Sequence, residues 1–108
     1  PSFPDGCLVG ERKGSFNFTV IVRGKSAHAG RDFTSGVNAA SALMKCLLRI
    51  EALSDPDKGL TVNIGKIEGG DAVNIVPDLA IGRCNARMAS VDDFKFLRRQ
   101  IDLIIDEE

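Results

Sequence analysis

Three polar residues of this 108-residue chain combine a chemically capable side chain with a position in a loop or at a strand end. His28 lies among small residues in the segment GKSAHAG, where an unobstructed imidazole can donate a hydrogen bond to a developing oxyanion. Asn74 lies in GGDAVNIVP, where its amide can orient a carbonyl or carboxylate group. Arg87 ends a strand pattern, and its guanidinium can hold a carboxylate through two parallel hydrogen bonds. Each also fits a structural role, as an exposed loop histidine, a turn-forming asparagine or a surface ion-pair partner.

The chain lacks the residue sets of a self-sufficient hydrolase. A catalytic zinc site needs about three protein ligands, and His28 is the only histidine. The motifs HExxH, GxSxG, GxGxxG and the P-loop are absent from the sequence. We therefore expect no metal ligands in this stretch and predict that it is inactive as an isolated enzyme.

The composition argues against two classes of binding partner, nucleic acids and membranes. A net charge of −1 and a hydrophobic content of 44% are typical of one globular domain. Nucleic-acid-binding domains usually carry a basic excess, and no apolar run approaches the roughly 20 residues that span a bilayer. We therefore predict neither a nucleic-acid nor a membrane partner. The segment RKGSFNF resembles a base-stacking strand only superficially, because Phe16 and Phe18 also fit a buried face.

The three cysteines, Cys7, Cys46 and Cys84, are odd in number and far apart in sequence. They form no CxxC pair, so neither a zinc knuckle nor a disulfide framework is indicated. We predict that Cys46 and Cys84 are buried thiols that pack as small hydrophobic groups. Free thiols favour a reducing compartment such as the cytoplasm, but the sequence leaves the location open.

Alternation of apolar and polar residues predicts three strands. They span residues 16–22, a stretch from Leu60 that is broken at Gly69-Gly70-Asp71, and residues 79–88. A further short strand is predicted for residues 7–11, followed by a turn at 12–15. Residues 1–6 are interpreted as a linker.

Two segments show the periodicity of amphipathic helices. The first helix is predicted to be capped by Thr34 or Ser35 and to end near Leu53. The second is predicted to begin at Ser90, with Asp93 in a position like that of a capping box. The predicted buried stripes are Val37, Ala40, Leu43, Met44, Leu47 and Leu48 in the first helix, and Phe94, Leu97, Ile101, Ile104 and Ile105 in the second.

The element order and the apolar faces predict one fold class. The last strand carries small residues on one face, including Ala80, Gly82 and Ala86, and these allow a helix to pack closely. Two helices on one face of an antiparallel sheet bury every apolar face, which is a ferredoxin-like two-layer sandwich of the α+β class. Such a fold normally adds a strand after the second helix, so we expect domain 7–108 to lack its final strand.

Several segments, in this order and spacing, resemble the dimerisation (lid) domain of the glutamate carboxypeptidase and aminoacylase family of di-zinc metallopeptidases. The resemblance covers nearly the whole chain. Its carriers are RKG at 12–14, VIVRGKSAHAG at 20–30, SGVNAA at 35–40, LTVNIGKIEGG at 60–70, VNIVPD at 73–78 and the strand end at 83–87.

The resemblance implies a lid inserted into a larger catalytic domain of the same polypeptide, which would hold two zinc ions and a glutamate base. Two lids would pair through a helix and an edge strand in a homodimer. His28 would enter the partner subunit's active site and hold the scissile carbonyl. Asn74 would line the substrate site beside the glycine pair Gly69 and Gly70, and Arg87 would bind the substrate's terminal carboxylate.

The parent protein implied by this resemblance is a carboxypeptidase or amidohydrolase that acts on a carboxylate-bearing peptide or an N-acyl amino acid. Which amide it cleaves stays open. One alternative is a ferredoxin-like regulatory domain that binds a small ligand such as an amino acid. Another is a purely structural dimerisation module in which His28 has no chemical role.

Overall fold

The computed structural model describes residues 14–107. The predicted linker, the predicted strand at 7–11 and Cys7 lie outside these residues. Gly14 and Ser15, which we expected in a turn, instead begin the first strand, because both pair with the last strand. The elements are β1 (Gly14–Arg23), α1 (Ala39–Glu51), β2 (Thr61–Gly69), β3 (Leu79–Met88) and α2 (Val91–Glu107), with short 3-10 turns at Phe33–Ser35 and Pro56–Lys58.

The three strands form an antiparallel sheet in the order β1-β3-β2. At one end of β3, Leu79 lies opposite Arg23, and at the other end Arg87 lies opposite Ser15 and Thr61. A register shift between Ile64 and Lys66 interrupts the pairing of β2 with β3. The predicted α+β two-layer sandwich is confirmed.

Small residues on β3 bring the helices close to the sheet. A Cβ atom added at Gly82 would lie 2.9 Å and 3.0 Å from the two methyl carbons of Leu47 on α1. The β3 residues on this covered face are all buried, as predicted, and the opposite face bears Arg83, Asn85 and Arg87. The buried core is Phe16, Phe18, Val20, Ala39, Leu43, Cys46, Leu47, Ile50, Leu60, Val62, Ala80, Cys84, Ala86, Met88, Leu97, Ile101 and Ile104.

The predicted burial of two cysteines is confirmed. Cys46 and Cys84 are free thiols in the core. Burial, assisted by the neighbouring Cys46, raises the pKa of Cys84 to about 11, because the thiolate would lose its hydration. Both residues therefore act as small apolar groups between α1 and the sheet.

The start of α1 differs from the prediction. Thr34 and Ser35 belong to a 3-10 turn and do not cap the helix. The N-cap is Asn38, whose side-chain oxygen accepts a hydrogen bond from the Ser41 amide at 3.0 Å. The helix starts late because Val37 is still extended and forms an antiparallel bridge with Lys25.

The helix stripes were predicted correctly only in part. In α1 the side chains of Met44 and Leu48 are 52% and 64% exposed, whereas Cys46 and Ile50 are buried. Val37, which precedes the helix, is also exposed. The sheet instead covers the side of α1 that bears Leu43, Cys46, Leu47 and Ile50.

The second helix follows its prediction more closely. The hydroxyl of Ser90 accepts a hydrogen bond from the Asp93 amide at 3.1 Å, which confirms the predicted cap. Leu97, Ile101 and Ile104 are buried as expected, but Ile105 is 42% exposed. Neither helix of residues 14–107 is long and apolar enough to cross a membrane.

Candidate functional site

Three loop segments meet beyond the start of β3, and we call them the loop junction: residues 24–30, 36–38 and 69–78. Backbone hydrogen bonds join the segments. The amide of Gly24 donates to the carbonyl of Asp78 at 2.8 Å, and that of Ala39 to Pro77 at 2.9 Å. The junction is thus fixed by main-chain contacts, which do not depend on side-chain rotamers.

Glycines make this close approach possible. A Cβ atom at Gly24 would lie 2.1 Å from the carbonyl oxygen of Val37, so no other residue fits without movement of the backbone. Gly69 and Gly70 have φ angles of 151° and 86°, which L side chains rarely adopt. The predicted glycine pair therefore forms the turn through which the chain leaves β2.

His28 is held in the junction in a defined orientation. Its backbone forms an antiparallel bridge with Ile75, and its carbonyl accepts the amides of Arg31 and Asp32. The Nδ1 atom of the imidazole accepts a hydrogen bond from the Gly30 amide at 3.1 Å. Because Nδ1 is the acceptor, the neutral ring carries its proton on Nε2. The half-buried imidazole can therefore donate from Nε2.

Asn74 is brought next to His28 by the backbone. The amide of Ala29 donates to the carbonyl of Asn74 at 2.8 Å, and that of Val76 to Ala27 at 2.8 Å. Asn74 is exposed at the tip of its segment. The two predicted site residues thus belong to one rigidly connected unit.

The side-chain contacts of the junction show which way His28 faces. A Cβ atom at Gly36 would lie 3.0 Å from Val76 Cγ1 and 3.1 Å from Ala27 Cβ, so these two side chains point toward Gly36. Side chains alternate along extended backbone, and bridge partners share a side. Ser26, His28 and Ile75 therefore face the opposite side.

A cavity of about 420 Å³ adjoins Ser26 and Ile75, and we call it the junction cavity; His28 itself does not line it. Its walls combine the glycine turn, the segment after Asn74 and the start of β3. The ionisable side chains that line it are all carboxylates. The lining residues are Ser26, Glu68, Gly69, Gly70, Asp71, Ile75, Val76, Pro77, Asp78, Leu79 and Ile81.

Glu68 at the border of the junction cavity is already paired. Its carboxylate accepts a hydrogen bond from Arg83 Nε at 2.9 Å, and Lys66 Nζ lies at 3.8 Å. The hydrogen bond from Arg83, with the charge of Lys66, lowers the pKa of Glu68 below its usual range. Glu68 is thus ionised at neutral pH and partly neutralised by cations outside the cavity.

Arg87 lies at the far end of the sheet from the junction. It is eight residues beyond Leu79 on β3, which at about 3.3 Å per residue is roughly 26 Å. Its side chain is exposed on the face away from the helices. Among residues 14–107, Arg87 forms no ion pair, in contrast to Arg83. The structure therefore groups His28, Asn74, Gly69 and Gly70, and it leaves Arg87 apart from them.

The described residues do not supply a metal centre. Within residues 14–107, no three His, Cys, Asp or Glu side chains lie close enough together to hold a metal ion. The zinc ions that the family resemblance implies would be held by the catalytic domain and not by these residues, and we derive no reaction step through them.

Sequence reasoning missed the residues that shape the site around His28. Gly24 was noted only as part of the segment that contains His28, and its contact with Val37 depends on pairing between separate segments. Leu79 and Ile81 were not singled out. The sequence did contain a pattern that could have identified them, because they are the apolar residues of a β3 face that otherwise bears Arg83, Asn85 and Arg87.

Comparison with known proteins gives a consistent result. The model of the family described as peptidase dimerisation domain matches residues 10–108. A probable carboxypeptidase of Aspergillus terreus is 38% identical over 98 residues, which are 80% of this chain and 22% of that protein. A probable carboxypeptidase of Talaromyces marneffei is 34% identical over 93% of this chain and 24% of its own length.

A solved structure supports the same relationship. Aminopeptidase PepT from Bacillus cereus superposes with a TM-score of 0.77 and 29% identity, covering 86% of this chain and 25% of that chain. The chain thus spans about a quarter of the length of the relatives that it matches.

Proposed function

The chain belongs to the peptidase dimerisation domain family, and on that premise we propose that it is the self-associating, substrate-binding lid of a larger hydrolase. The proposed parent is a zinc-dependent carboxypeptidase or amidohydrolase that cleaves an amide next to a free carboxylate. The observation that carries this proposal is the orientation of His28, whose Nδ1 accepts the Gly30 amide and whose Nε2–H is thereby left as a donor.

His28 is suited to hold the carbonyl oxygen of the scissile amide. A donor placed where negative charge develops stabilises the transition state by roughly 3–4 kcal/mol when the site excludes water. The Gly30 hydrogen bond fixes the tautomer, so little reorganisation is needed during the reaction. Asn74 moves with His28, because their segments share the Ala29 hydrogen bond.

One chain cannot bring His28 and Arg87 to the same small substrate. A dipeptide or an N-acyl amino acid is roughly 10 Å long, estimated from the 3.3–3.6 Å span of an extended residue. Arg87 lies roughly 26 Å along β3 from Leu79, the strand residue that directly follows the loop junction holding His28. We therefore propose that each substrate is bound by Arg87 of one protomer and by His28 and Asn74 of its partner.

An apolar surface suited to pairing lies beside β2, an edge strand of the described sheet. Arg49 of α1 forms an ion pair with Glu107 of α2, so this flank of α1 faces α2. At 3.6 residues per turn, Met44 and Leu48 lie on the other flank of α1. Ile67 on β2 is also 57% exposed. Exposed apolar side chains that adjoin a strand edge favour association with a second copy.

Pairing of two β2 edges across a two-fold axis would also assemble the site. Antiparallel pairing places the Leu79 end of one sheet at the level of the Arg87 end of the other. The two β3 strands would be three strand spacings apart, roughly 14 Å at about 4.8 Å each. Ile81 at the junction cavity and Arg87 lie on the same uncovered face. The partner's Arg87 would thus be closer to His28 than its own Arg87.

The other edge of the described sheet is suited to the final strand that we expect after α2. A groove of about 230 Å³ runs beside β1, lined by Val20, Ile21, Val22, Arg23, Ala42, Cys46 and Ile105. Because α2 reaches β1 at Ile105, a following strand could fill this groove and cover that exposed side chain. We therefore propose that β1 pairs with the final strand and that β2 pairs with the second copy.

Replacing His28 with Ala in the full-length parent enzyme tests the proposal. We expect kcat to fall by roughly 10²–10³-fold, with a smaller change in KM, because the contact forms mainly in the transition state. His28→Gln, which retains a side-chain donor, should recover part of the rate. Steady-state kinetics and size-exclusion chromatography of the dimer give the readouts. An unchanged kcat in an intact dimer would leave only a structural dimerisation module.

A further inference from the structure

We propose that the junction cavity binds the acyl side of the substrate and selects an apolar acyl group over an anionic one. This inference rests on the proposed function, because it takes His28 to hold the scissile carbonyl. It adds the substrate class that the cavity accepts and names Leu79 and Ile81 as specificity-determining residues.

The cavity is linked to His28 through two neighbouring residues. Ser26, two residues before His28, and Ile75, its bridge partner, line the cavity, although His28 itself does not. A carbonyl oxygen that accepts from His28 therefore has its acyl carbon next to this opening. The part of the substrate beyond the leaving amine, including its carboxylate, extends away toward the partner's Arg87.

The walls of the cavity favour an apolar group. Ile75 and Leu79 are 38% and 37% exposed, so their methyl groups contact whatever enters. Val76, Pro77 and Ile81 complete the apolar lining. A volume of about 420 Å³ is within the range of small-molecule pockets and accommodates a leucyl or phenyl side chain.

The charges at the rim exclude an anionic group. Glu68, Asp71 and Asp78 line the cavity, and no Lys or Arg of the described chain does. Arg83 and Lys66 approach Glu68 from outside the lining. A carboxylate in the cavity would therefore meet like charge and no counter-ion, so the free carboxylate of the substrate binds elsewhere.

The test is the selectivity of the full-length dimer toward amides that share one carboxylate-bearing amine and differ in the acyl group. We expect kcat/KM for a leucine-like acyl group to exceed that for a glycine-like group by at least tenfold, and that for a glutamate-like group by more. Leu79→Lys should lower kcat/KM for the leucine-like substrate and raise it for the glutamate-like one, so that their ratio changes by at least tenfold.

A matched control separates this effect from a general effect of added charge. Leu103 on α2 is 49% exposed and does not line the cavity. Leu103→Lys should leave the ratio unchanged. If Leu79→Lys does not fold, as judged by circular dichroism, Leu79→Ala and Ile81→Ala should still reduce the preference for the leucine-like over the glycine-like substrate severalfold.

Two results would overturn the proposal: an unchanged ratio in folded Leu79 variants, or a wild-type preference for a glutamate-like acyl group. Failure of the underlying function has a different signature. His28→Ala would then leave kcat unchanged for every acyl group. If His28→Ala lowers kcat for all substrates while the Leu79 variants keep the wild-type ratio, only the cavity assignment is wrong.

Discussion

The two ends of β3 present functional groups in opposite ways. At the Leu79 end, main-chain hydrogen bonds among three loops hold His28 and Asn74 next to Ile75, which lines a cavity. At the Met88 end, the candidate group is one exposed guanidinium, that of Arg87, on a regular strand. The loop end thus fixes its groups through several backbone contacts, whereas the strand end offers one exposed charge.

This difference shows where each end is vulnerable. At the loop end a single added methyl group can displace several backbone segments at once, because they approach each other at glycines. At the strand end the backbone is supported by pairing on both sides of β3, so only loss of the guanidinium itself should matter. Stability measurements on glycine variants test the first half of this contrast.

The largest expected effect on stability is that of Gly24→Ala. The new Cβ would lie 2.1 Å from the Val37 carbonyl oxygen, which forces the β1 end and the segment before α1 apart. We expect the free energy of unfolding to fall by about 3 kcal/mol or more, measured by urea denaturation of the 108-residue chain.

Gly65→Ala is the matched control, because its nearest contacts would be ordinary ones at 3.6 Å and 3.7 Å. We expect it to change the free energy of unfolding by no more than about 1 kcal/mol. Equal losses in the two variants would show that the loop junction is no more constrained than the sheet, and the contrast between the two ends would fail.

A smaller effect is expected from the ion pair that lies between the two ends. Arg83 and Lys66 lower the pKa of Glu68, so the stabilisation is present above the usual pKa of a glutamate and is lost as pH falls through the lowered value. Because the pair is exposed to solvent, we expect only a slight change.

Thermal unfolding of Glu68→Gln across pH 3–7 measures this contribution. The variant should be slightly less stable than the wild type at pH 7 and equal to it at the acid end. A difference that grows as pH falls would mean that Glu68 is stabilised when protonated, contrary to its hydrogen bond with Arg83.

Much of the fold could be predicted because its signals are local. The alternation of β3 predicted the strand, its small residues predicted a closely packed helix, and Ser90 predicted the start of α2. Asn38 was missed as the cap of α1 because Val37 stays extended through pairing with Lys25, twelve positions away. Met44 and Leu48 were assigned to the core because the apolar stripe of α1 is wider than the surface that the sheet covers.

The candidate site could be predicted only residue by residue. His28, Asn74 and the glycine pair stood out as polar or flexible positions, but their proximity depends on bridges between segments more than 40 residues apart. Arg87 stood out equally, yet its distance from the others follows from the direction and length of β3. A list of candidate residues does not show which of them can reach one substrate.

Mixed dimers of the full-length enzyme test most directly whether His28 and Arg87 at one site come from different protomers. His28→Ala and Arg87→Ala protomers, purified together with two affinity tags, would form one site that lacks both groups and one intact site. We predict about half of the wild-type activity, well above that of either variant homodimer.

The control pairs His28→Ala with Asn74→Ala, since both residues belong to the same loop junction. Each site of that mixed dimer would lack one group, so no activity should be regained. Recovery in the first mixed dimer but not in the second is the predicted result. No recovery with His28→Ala and Arg87→Ala, in dimers of confirmed composition, would contradict the account.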